Sequence, residues 1–349
     1  MIMMRPVLNM ANNGDEIMVT QKSQKKSEML VEELKERSSK ALELARRTIL
    51  AEETKCGRAQ EALEYYTLHW NDYTHPGFFS IASEAVGADS DSVLPVQAAI
   101  TMIAAAFDIH DDLIDESEAK HGVPTVFGKF GKDIALLLGD AFLIEGFTLL
   151  DQSIAELPLG KIRQVLETFK MALFELGNAH ALELDLKVRG DVLPDAYMRA
   201  LEMKASSIEA DMRIGALVGG GTKEEIESLA ELGRILGILA TLREEFIDVF
   251  EAEELENRFH KECLPIPILC AMEDGEARRK IEKLLADQEI TSKDVDKIVD
   301  IVFKSKSVIR LKKKMQKLVT QSFHLASKAG SNETSKLLQN LAESTLEDL

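Results

Sequence analysis

The sequence predicts an all-α protein, because long stretches of helical periodicity are interrupted by few helix breakers. Only 8 prolines and 20 glycines occur among 349 residues, and no stretch alternates apolar and polar residues with the period of two that indicates a β-strand. Hydrophobic residues make up 45% of the chain, which is enough for a substantial core. We therefore expect a single large helical bundle over residues 26–349.

The N-terminal segment differs from the rest of the chain. Residues 1–25 are polar, carry internal methionines at Met10 and Met18, and show no sustained periodicity. Such a segment has too little apolar surface to bury, so we expect a disordered tail. Over residues 27–66, apolar side chains recur at helical spacing among many charged ones, which predicts long amphipathic helices.

The later helices are separated by turns with clear breakers. A loop at 87–92 offers Ser and Asp as N-caps for a strongly apolar helix, and Gly122 and Pro124 oppose helix continuation in the turn 120–125. Helical periodicity predicts the elements that follow: 134–152, 159–188, 196–219, 223–250 and amphipathic helices within 276–349.

Charge and cysteine content narrow the function classes. The chain has 42 Lys and Arg against 60 Asp and Glu, a net charge of −18, which argues against nucleic acid or an anionic membrane surface as a partner. Its three cysteines lack zinc-site spacing and are odd in number, as in reduced intracellular proteins. We find no run with the roughly 18 apolar residues of a membrane span and no cleavable signal peptide, so we expect a cytoplasmic protein.

A group of carboxylates at the end of an apolar run is the first candidate for chemistry. Asp111, Asp112 and Asp115 follow the apolar residues 96–107. Residues i and i+4 share a helix face, so Asp111 and Asp115 repel one another unless a cation neutralises them. Mg²⁺ prefers carboxylate oxygens and takes further ligands from water and substrate phosphates. The spacing predicts a Mg²⁺–diphosphate site, although solvated helices of acidic proteins also show such spacing by chance.

A second group repeats the same spacing about 130 residues later. Glu244, Glu245 and Asp248 again occupy positions i, i+1 and i+4 after an apolar run. Two such faces on facing helices could hold several cations between them. The repetition favours a metal site over a chance acidic face.

The order of motifs resembles that of the trans-isoprenyl diphosphate synthases, the polyprenyl synthetase family, over residues 45–330. Each motif is weak alone, but the ordered set is specific. The motifs are His110-Asp-Asp-Leu-Ile-Asp-Glu-Ser117, His121-Gly-Val-Pro-Thr125, Phe130-Gly131, Leu138-Gly-Asp-Ala141, Lys204-Ala-Ser206, Gly215-Ala-Leu-Val-Gly-Gly220, Glu244-Glu-Phe-Ile-Asp248 and Lys261-Glu-Cys-Leu-Pro265.

The resemblance implies an isoprenoid-synthase bundle with a central substrate cavity. It implies a prenyltransferase that ionises an allylic diphosphate and condenses it with isopentenyl diphosphate to make a longer polyprenyl diphosphate. Three Mg²⁺ ions are implied, two held by Asp111, Asp112 and Asp115 and the third by Glu244 with Asp248. A homodimer, or a heteromer with a related synthase, is implied as the assembly.

The resemblance also places residues around the allylic substrate. Lys204, which we count among the catalytic residues, and Lys261 match lysines that contact the allylic diphosphate. Phe107 and Ala106 lie about one turn before Asp111, where side chains of such enzymes line the tunnel that holds the growing chain. The sequence does not determine the length of that product.

The pocket for isopentenyl diphosphate departs from the family pattern. Asp72 and Tyr73 stand where the family has Lys and Arg. At four other positions of this pocket, where the family has different residues, the chain has His75, Lys120, His121 and His180. A neutral imidazole offers one donor, so we expect weak binding of this diphosphate at neutral pH and tighter binding toward pH ~6, as the histidines protonate.

These departures leave two alternatives to the elongating prenyltransferase. One is an enzyme of the same fold that ionises an allylic diphosphate without condensation, although no Asn-Asp-x-x-Ser-x-x-x-Glu metal motif of terpene cyclases occurs. The other is a non-elongating subunit that acts in a heteromer with an intact synthase.

Overall fold

The computed structural model describes residues 14–120, 122–190, 192–286, 290–347 and 349, with side chains from Lys26 onward except Ser27. Within these ranges the chain forms sixteen α-helices, one short hairpin and one 3₁₀ turn. The elements are α1 (Gly14–Leu50), α2 (Gly57–His69), α3 (Thr74–Ala85), α4 (Ser90–Ile114), β1 (Ala119–Lys120), β2 (Val123–Pro124), α5 (Val126–Phe130), α6 (Lys132–Ile154), α7 (Leu159–Arg189), α8 (Pro194–Lys204), α9 (Ser206–Val218), α10 (Lys223–Ile247), the 3₁₀ turn Asp248–Phe250, α11 (Ala252–Lys261), α12 (Ile266–Ala271), α13 (Gly275–Leu285), α14 (Ser292–Lys304), α15 (Lys306–Ala326) and α16 (Asn332–Ser344). The all-α prediction is confirmed.

The start of α1 corrects the predicted N-terminal tail. Residues 14–25, predicted to be disordered, continue the helix that runs to Leu50. The reason is cooperativity, since extending a helix that is already formed adds one hydrogen bond for each residue fixed. Residues 1–13 lie outside the described residues, and the disordered tail stays a prediction for them.

The described chain divides into two compact units that alternate along the sequence. The first unit comprises Glu33–Thr168 and Asp211–Glu227, and the second comprises Phe169–Ala210 and Ser228–Leu349 together with the helical residues before Glu33. The first acidic motif lies in the first unit and the second acidic motif lies in the second unit. The prediction of a single domain stays a prediction.

In the first unit, the apolar helix α4 packs mainly against α6. Gly146 of α6 permits this close approach, because a Cβ atom there would lie 2.8 Å from Cγ1 of Ile103. Tyr66, Trp70 and Phe142 pack around the same core with ring centroids 5.1–5.7 Å apart. Full burial of a side chain such as Phe142 contributes roughly 1.5–3 kcal/mol.

The burial of α4 also explains its composition. Contrary to the sequence expectation, α4 does contain an 18-residue window long and apolar enough to span a membrane, with a mean hydropathy of 1.6. However, 67% of this window is buried inside the protein. This is typical of a core helix, whose apolar side chains face other helices.

A tight turn follows the C-terminal end of α4 and leads into the hairpin. Asp115 caps the helix, and the next residue, Glu116, has the left-handed backbone angle φ of 53°. The strands β1 and β2 pair antiparallel around Gly122, which has a φ of 75°. Thr125 then begins α5 by accepting a hydrogen bond from the backbone N–H of Gly128. These turns bring β1 back toward α4.

In the second unit, α10 is buried along most of its length. Arg243 near its C-terminal end is fully buried, and its guanidinium donates hydrogen bonds to the carbonyl oxygens of Thr345 (3.3 Å) and Glu347 (2.7 Å). Helix α12 packs against α8, α14 and α15. The end of α10, which carries the second acidic motif, is therefore held firmly within this unit.

We predict that Gly215→Ala destabilises the protein. A Cβ atom at Gly215 of α9 would lie 2.4 Å from the backbone oxygen of Phe79 in α3, so the helices would have to separate, at a cost of about 1–3 kcal/mol. Gly177→Ala in α7 is the control, because nothing lies within 4 Å of that Cβ position and alanine favours a helix by about 0.5–1 kcal/mol. Thermal melting compares the two variants. Equal melting temperatures would show that α3 and α9 are not packed this closely.

Candidate functional site

The first acidic motif lies where α4 ends. Asp111 and Asp115 are half-buried, Asp112 is buried, and Glu116 is exposed. The C-terminal end of a helix carries a partial negative charge, which disfavours nearby carboxylates unless a cation compensates them. The observed end of α4 therefore favours positive charge nearby, and the Mg²⁺–diphosphate site stays a prediction.

Lys120 of β1 supplies part of that charge from within the protein. Its ammonium lies 2.6 Å from Oδ1 of Asp112 and 3.0 Å from Oδ1 of Asp108. Burial raises the pKa of Asp112, and Lys120 only partly opposes this. Burial alone would lower the pKa of Lys120, but Asp108 and Asp112 outweigh it and raise that pKa. Lys120, predicted to bind substrate, thus contacts protein carboxylates here.

Sequence reasoning missed Asp108, although a local signal exists. Asp108 stands four residues before Asp112, so both side chains lie on one face of α4. Asp108 is a fourth carboxylate in addition to the three of the motif, and it could have indicated that Lys120 in the following turn would pair with this face.

A second ion pair of the first unit joins α3 to α9. Nδ1 of His75 lies 2.6 Å from Oδ2 of Asp211, and Asp211 is buried. Burial by itself would lower the pKa of His75, but Asp211 and Asp72 outweigh it and raise that pKa to about 9. The expectation of a neutral imidazole that gains charge toward pH ~6 is therefore wrong for His75, which is protonated at neutral pH. Burial also raises the pKa of Asp211, against the influence of His75.

No local pattern pointed to Asp211, because it pairs with a residue 136 positions away. His121, the other histidine predicted for this pocket, lies outside the described residues. The two predicted tunnel residues differ in exposure: Ala106 is fully buried in the core of the first unit, whereas Phe107 is half-buried.

The second acidic motif surrounds a guanidinium. Glu245 is buried and accepts hydrogen bonds from the N–H of Ile266 (2.7 Å), the hydroxyl of Tyr197 (3.0 Å) and Nη1 of Arg258 (2.9 Å). Nη2 of Arg258 lies 2.6 Å from Oδ2 of Asp248. Burial raises the pKa of Asp248 to about 7, which Arg258 opposes. Two of the three carboxylates of this motif are thus bound to one arginine, which sequence reasoning did not identify.

The remaining predicted residues of the second unit lie on α7, α8 and α11. Nζ of Lys204 lies 2.8 Å from Oε2 of Glu183, and Nδ1 of His180 lies 3.8 Å from the same oxygen. Lys261 is half-buried and is the last residue of α11. Glu183 therefore brings Lys204 and His180 together, although the sequence assigned them to different diphosphates.

The two acidic motifs differ in how well they fit a metal ion. In the part of the chain that the structure describes, no three His, Cys, Asp or Glu side chains gather as a metal site. Asp111 and Asp115 nevertheless fit Mg²⁺, which often binds through one or two carboxylates plus substrate phosphates. The predicted pair Glu244 and Asp248 fits a metal ion less well, because Arg258 already binds Asp248 as well as the neighbouring Glu245.

Comparison with known proteins assigns the chain to a family. The family model for polyprenyl synthetase matches residues 57–302, well over half of the chain. The chain belongs to the polyprenyl synthetase family. None of the three cysteines, all of which the structure describes, forms a disulfide.

Curated members of the polyprenyl synthetase family show similar sequences. Geranylgeranyl pyrophosphate synthase 11, chloroplastic, of Arabidopsis thaliana is 32% identical over 259 residues, which cover 70% of this chain and 72% of the relative. Geranylgeranyl diphosphate synthase of Methanosarcina mazei is 31% identical over 181 residues, 52% of this chain and 55% of the relative. The chain thus spans only about half of the latter enzyme.

Solved structures confirm the fold. Geranylgeranyl pyrophosphate synthetase from Pyrococcus horikoshii superposes with a TM-score of 0.80 at 23% identity, covering 93% of this chain and 100% of that one. A decaprenyl diphosphate synthase from Rhodobacter capsulatus gives 0.77 at 19% identity, covering 92% and 98%. The fold is that of the isoprenoid synthases, and family membership makes the protein a prenyltransferase.

We predict that the His75–Asp211 pair makes stability depend on pH. The folded pKa of about 9 exceeds the unfolded value of ~6.5, which corresponds to about 3 kcal/mol. Because the pKa is raised, this contribution is fully present below about pH 6.5 and is lost as pH rises through about 9. The melting temperature of His75→Gln, compared with that of wild type across this range, measures it. A constant difference between the two proteins would contradict the assigned charge state.

Proposed function

We propose that this polyprenyl synthetase is a Mg²⁺-dependent enzyme that ionises an allylic diphosphate and condenses it with isopentenyl diphosphate into a longer polyprenyl diphosphate. The observation that carries the proposal is the pair Asp111 and Asp115, half-buried at the negative end of a buried apolar helix. Hard carboxylate oxygens in that setting favour a divalent cation that also binds phosphate.

Different residues of the chain would have different roles in ionising the allylic diphosphate. Asp111 and Asp115 would hold Mg²⁺, which when bound supplies positive charge opposite the diphosphate as it leaves. Asp112 stays paired with Lys120 at 2.6 Å and would orient this end of α4. Lys204 would contact the allylic diphosphate, in exchange for its present contact with Glu183.

The apolar part of the substrate needs a different lining. Phe107 is half-buried and precedes Asp111 by about one helical turn, whereas Ala106 already packs in the core. We therefore propose that Phe107 contacts the growing chain. The small side chain of Ala106 would affect the tunnel indirectly, by leaving space in the core next to Phe107. Lys261 would contact the same diphosphate as Lys204.

A specific observation favours the non-condensing alternatives. His75, which stands where the family has an arginine, is already neutralised by Asp211 at 2.6 Å, and Asp72 adds further negative charge. A second diphosphate would meet repulsion here. One similar protein is named as the large subunit of a heterodimeric geranylgeranyl pyrophosphate synthase of Arabidopsis thaliana, so a non-elongating subunit remains the second candidate.

One experiment separates these functions. The purified protein is incubated with Mg²⁺, labelled isopentenyl diphosphate and each allylic diphosphate in turn. Labelled long-chain product supports the elongating enzyme. Release of pyrophosphate without incorporated label supports ionisation without condensation. Activity that requires an added synthase, with a changed product length, supports the subunit.

We predict that Asp111→Ala and Asp115→Ala each lower turnover by orders of magnitude, because each removes a ligand of the cation that offsets charge on the leaving group. Glu116→Ala is the matched control, since Glu116 is exposed and lies just after the helix, where its backbone is in the left-handed region. Steady-state kinetics with the allylic substrate gives the comparison, and circular dichroism checks the fold. Comparable losses at Glu116 and Asp115 would refute the assigned ligand face.

We propose further that the protein acts in the cytoplasm, with neither nucleic acid nor membrane as partner.

We also propose that the protein forms a dimer with a second copy of itself through α6. Leu136, Leu137 and Ile144 of α6 are exposed by 44%, 64% and 67%. Positions 137 and 144 are seven residues apart, so they form one apolar stripe. Large apolar side chains grouped in this way mark interaction surfaces.

We predict that Leu137→Asp converts a dimer into a monomer, because the new charge would be buried against the second copy. Leu68→Asp on α2 is the matched control: Leu68 is 77% exposed but lies outside the α6 stripe. Sedimentation velocity measures the assembly of both variants. A dimer that survives Leu137→Asp, or a monomeric wild type, would reject this interface.

A further inference from the structure

Arg258 of α11 is the most heavily engaged cation of the second unit's acidic motif. Only 11% of its side chain is exposed, yet four carboxylates surround it. Their distances to the guanidinium nitrogens are 2.6 Å for Asp248, 2.9 Å for Glu245, 3.2 Å for Glu254 and 4.0 Å for Glu262. This arrangement joins α10, the 3₁₀ turn and α11 through one side chain.

The geometry of the guanidinium suits this role. Nη1 binds Glu245 while Nη2 binds Asp248, so the planar fork bridges two carboxylates that would otherwise repel one another. The hydroxyl of Tyr197 lies 3.2 Å from Nη1. Burial alone would lower the pKa of Arg258, but the carboxylates outweigh it and raise that pKa further. The charge is therefore permanent.

The same contacts occupy carboxylate oxygens that a metal ion would need as ligands. Glu245 uses both of its oxygens, one for Arg258 and Tyr197 and the other for the N–H of Ile266. Asp248 has one oxygen on Arg258. A divalent ion bound to Asp248 would lie within a few ångström of the guanidinium, where like charges repel strongly because little water screens them.

We propose that Arg258 is the resident cation of the second acidic motif and takes the place of the metal ion that would otherwise bind Glu244 and Asp248. The enzyme then binds two metal ions with a diphosphate instead of three. The proposal rests on the proposed function in one respect, since it takes Asp111 and Asp115 as the site of those two ions. Arg258 is thus a positioning residue, which also fixes α11 and its last residue, Lys261.

Counting bound ions tests this proposal without a measurement of activity. Mn²⁺ replaces Mg²⁺ so that electron paramagnetic resonance can report bound ions, and inorganic pyrophosphate serves as the diphosphate probe. We expect two ions per wild-type chain, and two again for Asp248→Asn, because that carboxylate holds no metal. Three ions in wild type, or one ion lost in Asp248→Asn, would overturn the assignment of Arg258.

Replacement of the arginine provides the complementary test. Arg258→Met leaves Glu245 and Asp248 without their cation, so we expect one additional Mn²⁺ ion, whereas Arg258→Lys keeps the charge and the count of two. No additional ion in a folded Arg258→Met would contradict the proposal. If this variant does not fold, the wild-type and Asp248→Asn counts still decide the question.

Two controls keep the result specific. Arg234→Met also removes an arginine from two carboxylates of the second unit, Glu175 and Glu209, which lie 2.8 and 2.6 Å from Arg234 outside the acidic motif. We expect no additional ion there; a gain would show that any freed acidic pair binds Mn²⁺ and would overturn the inference. Asp111→Ala reports separately on the first motif, so failure of the proposed function can be distinguished from failure of the Arg258 assignment.

Discussion

A carboxylate taken out of water needs a cation or hydrogen bonds to compensate its charge, and cations meet this requirement in the polar interior of both units. Asp112 has Lys120, Asp211 has His75, and Asp248 has Arg258. In each pair the two partners come from different elements. Neutralising charge therefore also fixes the arrangement of helices, hairpin and turn. Removal of one partner from a buried pair such as Asp248 and Arg258 typically costs about 3–5 kcal/mol.

The same requirement bears on which carboxylates we propose as metal ligands. A side chain that is already bound to a protein cation gains little from a metal ion and would have to surrender an existing contact. We propose Asp111 and Asp115, which are half-buried at the end of α4, as the ligands of an ion that also binds substrate phosphate. The two acidic motifs have the same sequence spacing, but in the second motif Arg258 binds two of the three carboxylates.

Close backbone packing sets the positions of these charges. Gly215 lets α9 approach α3 so closely that any Cβ atom would meet the backbone of Phe79, and the His75–Asp211 pair joins the same two helices. A histidine in a polar turn would titrate near its usual pKa. Held against a buried aspartate it keeps its proton at neutral pH, which changes the charge of the predicted second-diphosphate pocket.

The sequence by itself determined the properties that depend on neighbouring residues: the helical periodicity, the breakers around Gly122, the shared face of Asp111 and Asp115, and the order of motifs that indicates the family. Each follows from spacing along one element. Only the tertiary structure decided that α4 is a core helix, that Asp211 holds His75 across 136 positions, and that Arg258 binds Glu245 and Asp248. The physical reason is that burial and ion pairing depend on which elements pack together, and local sequence does not specify that packing.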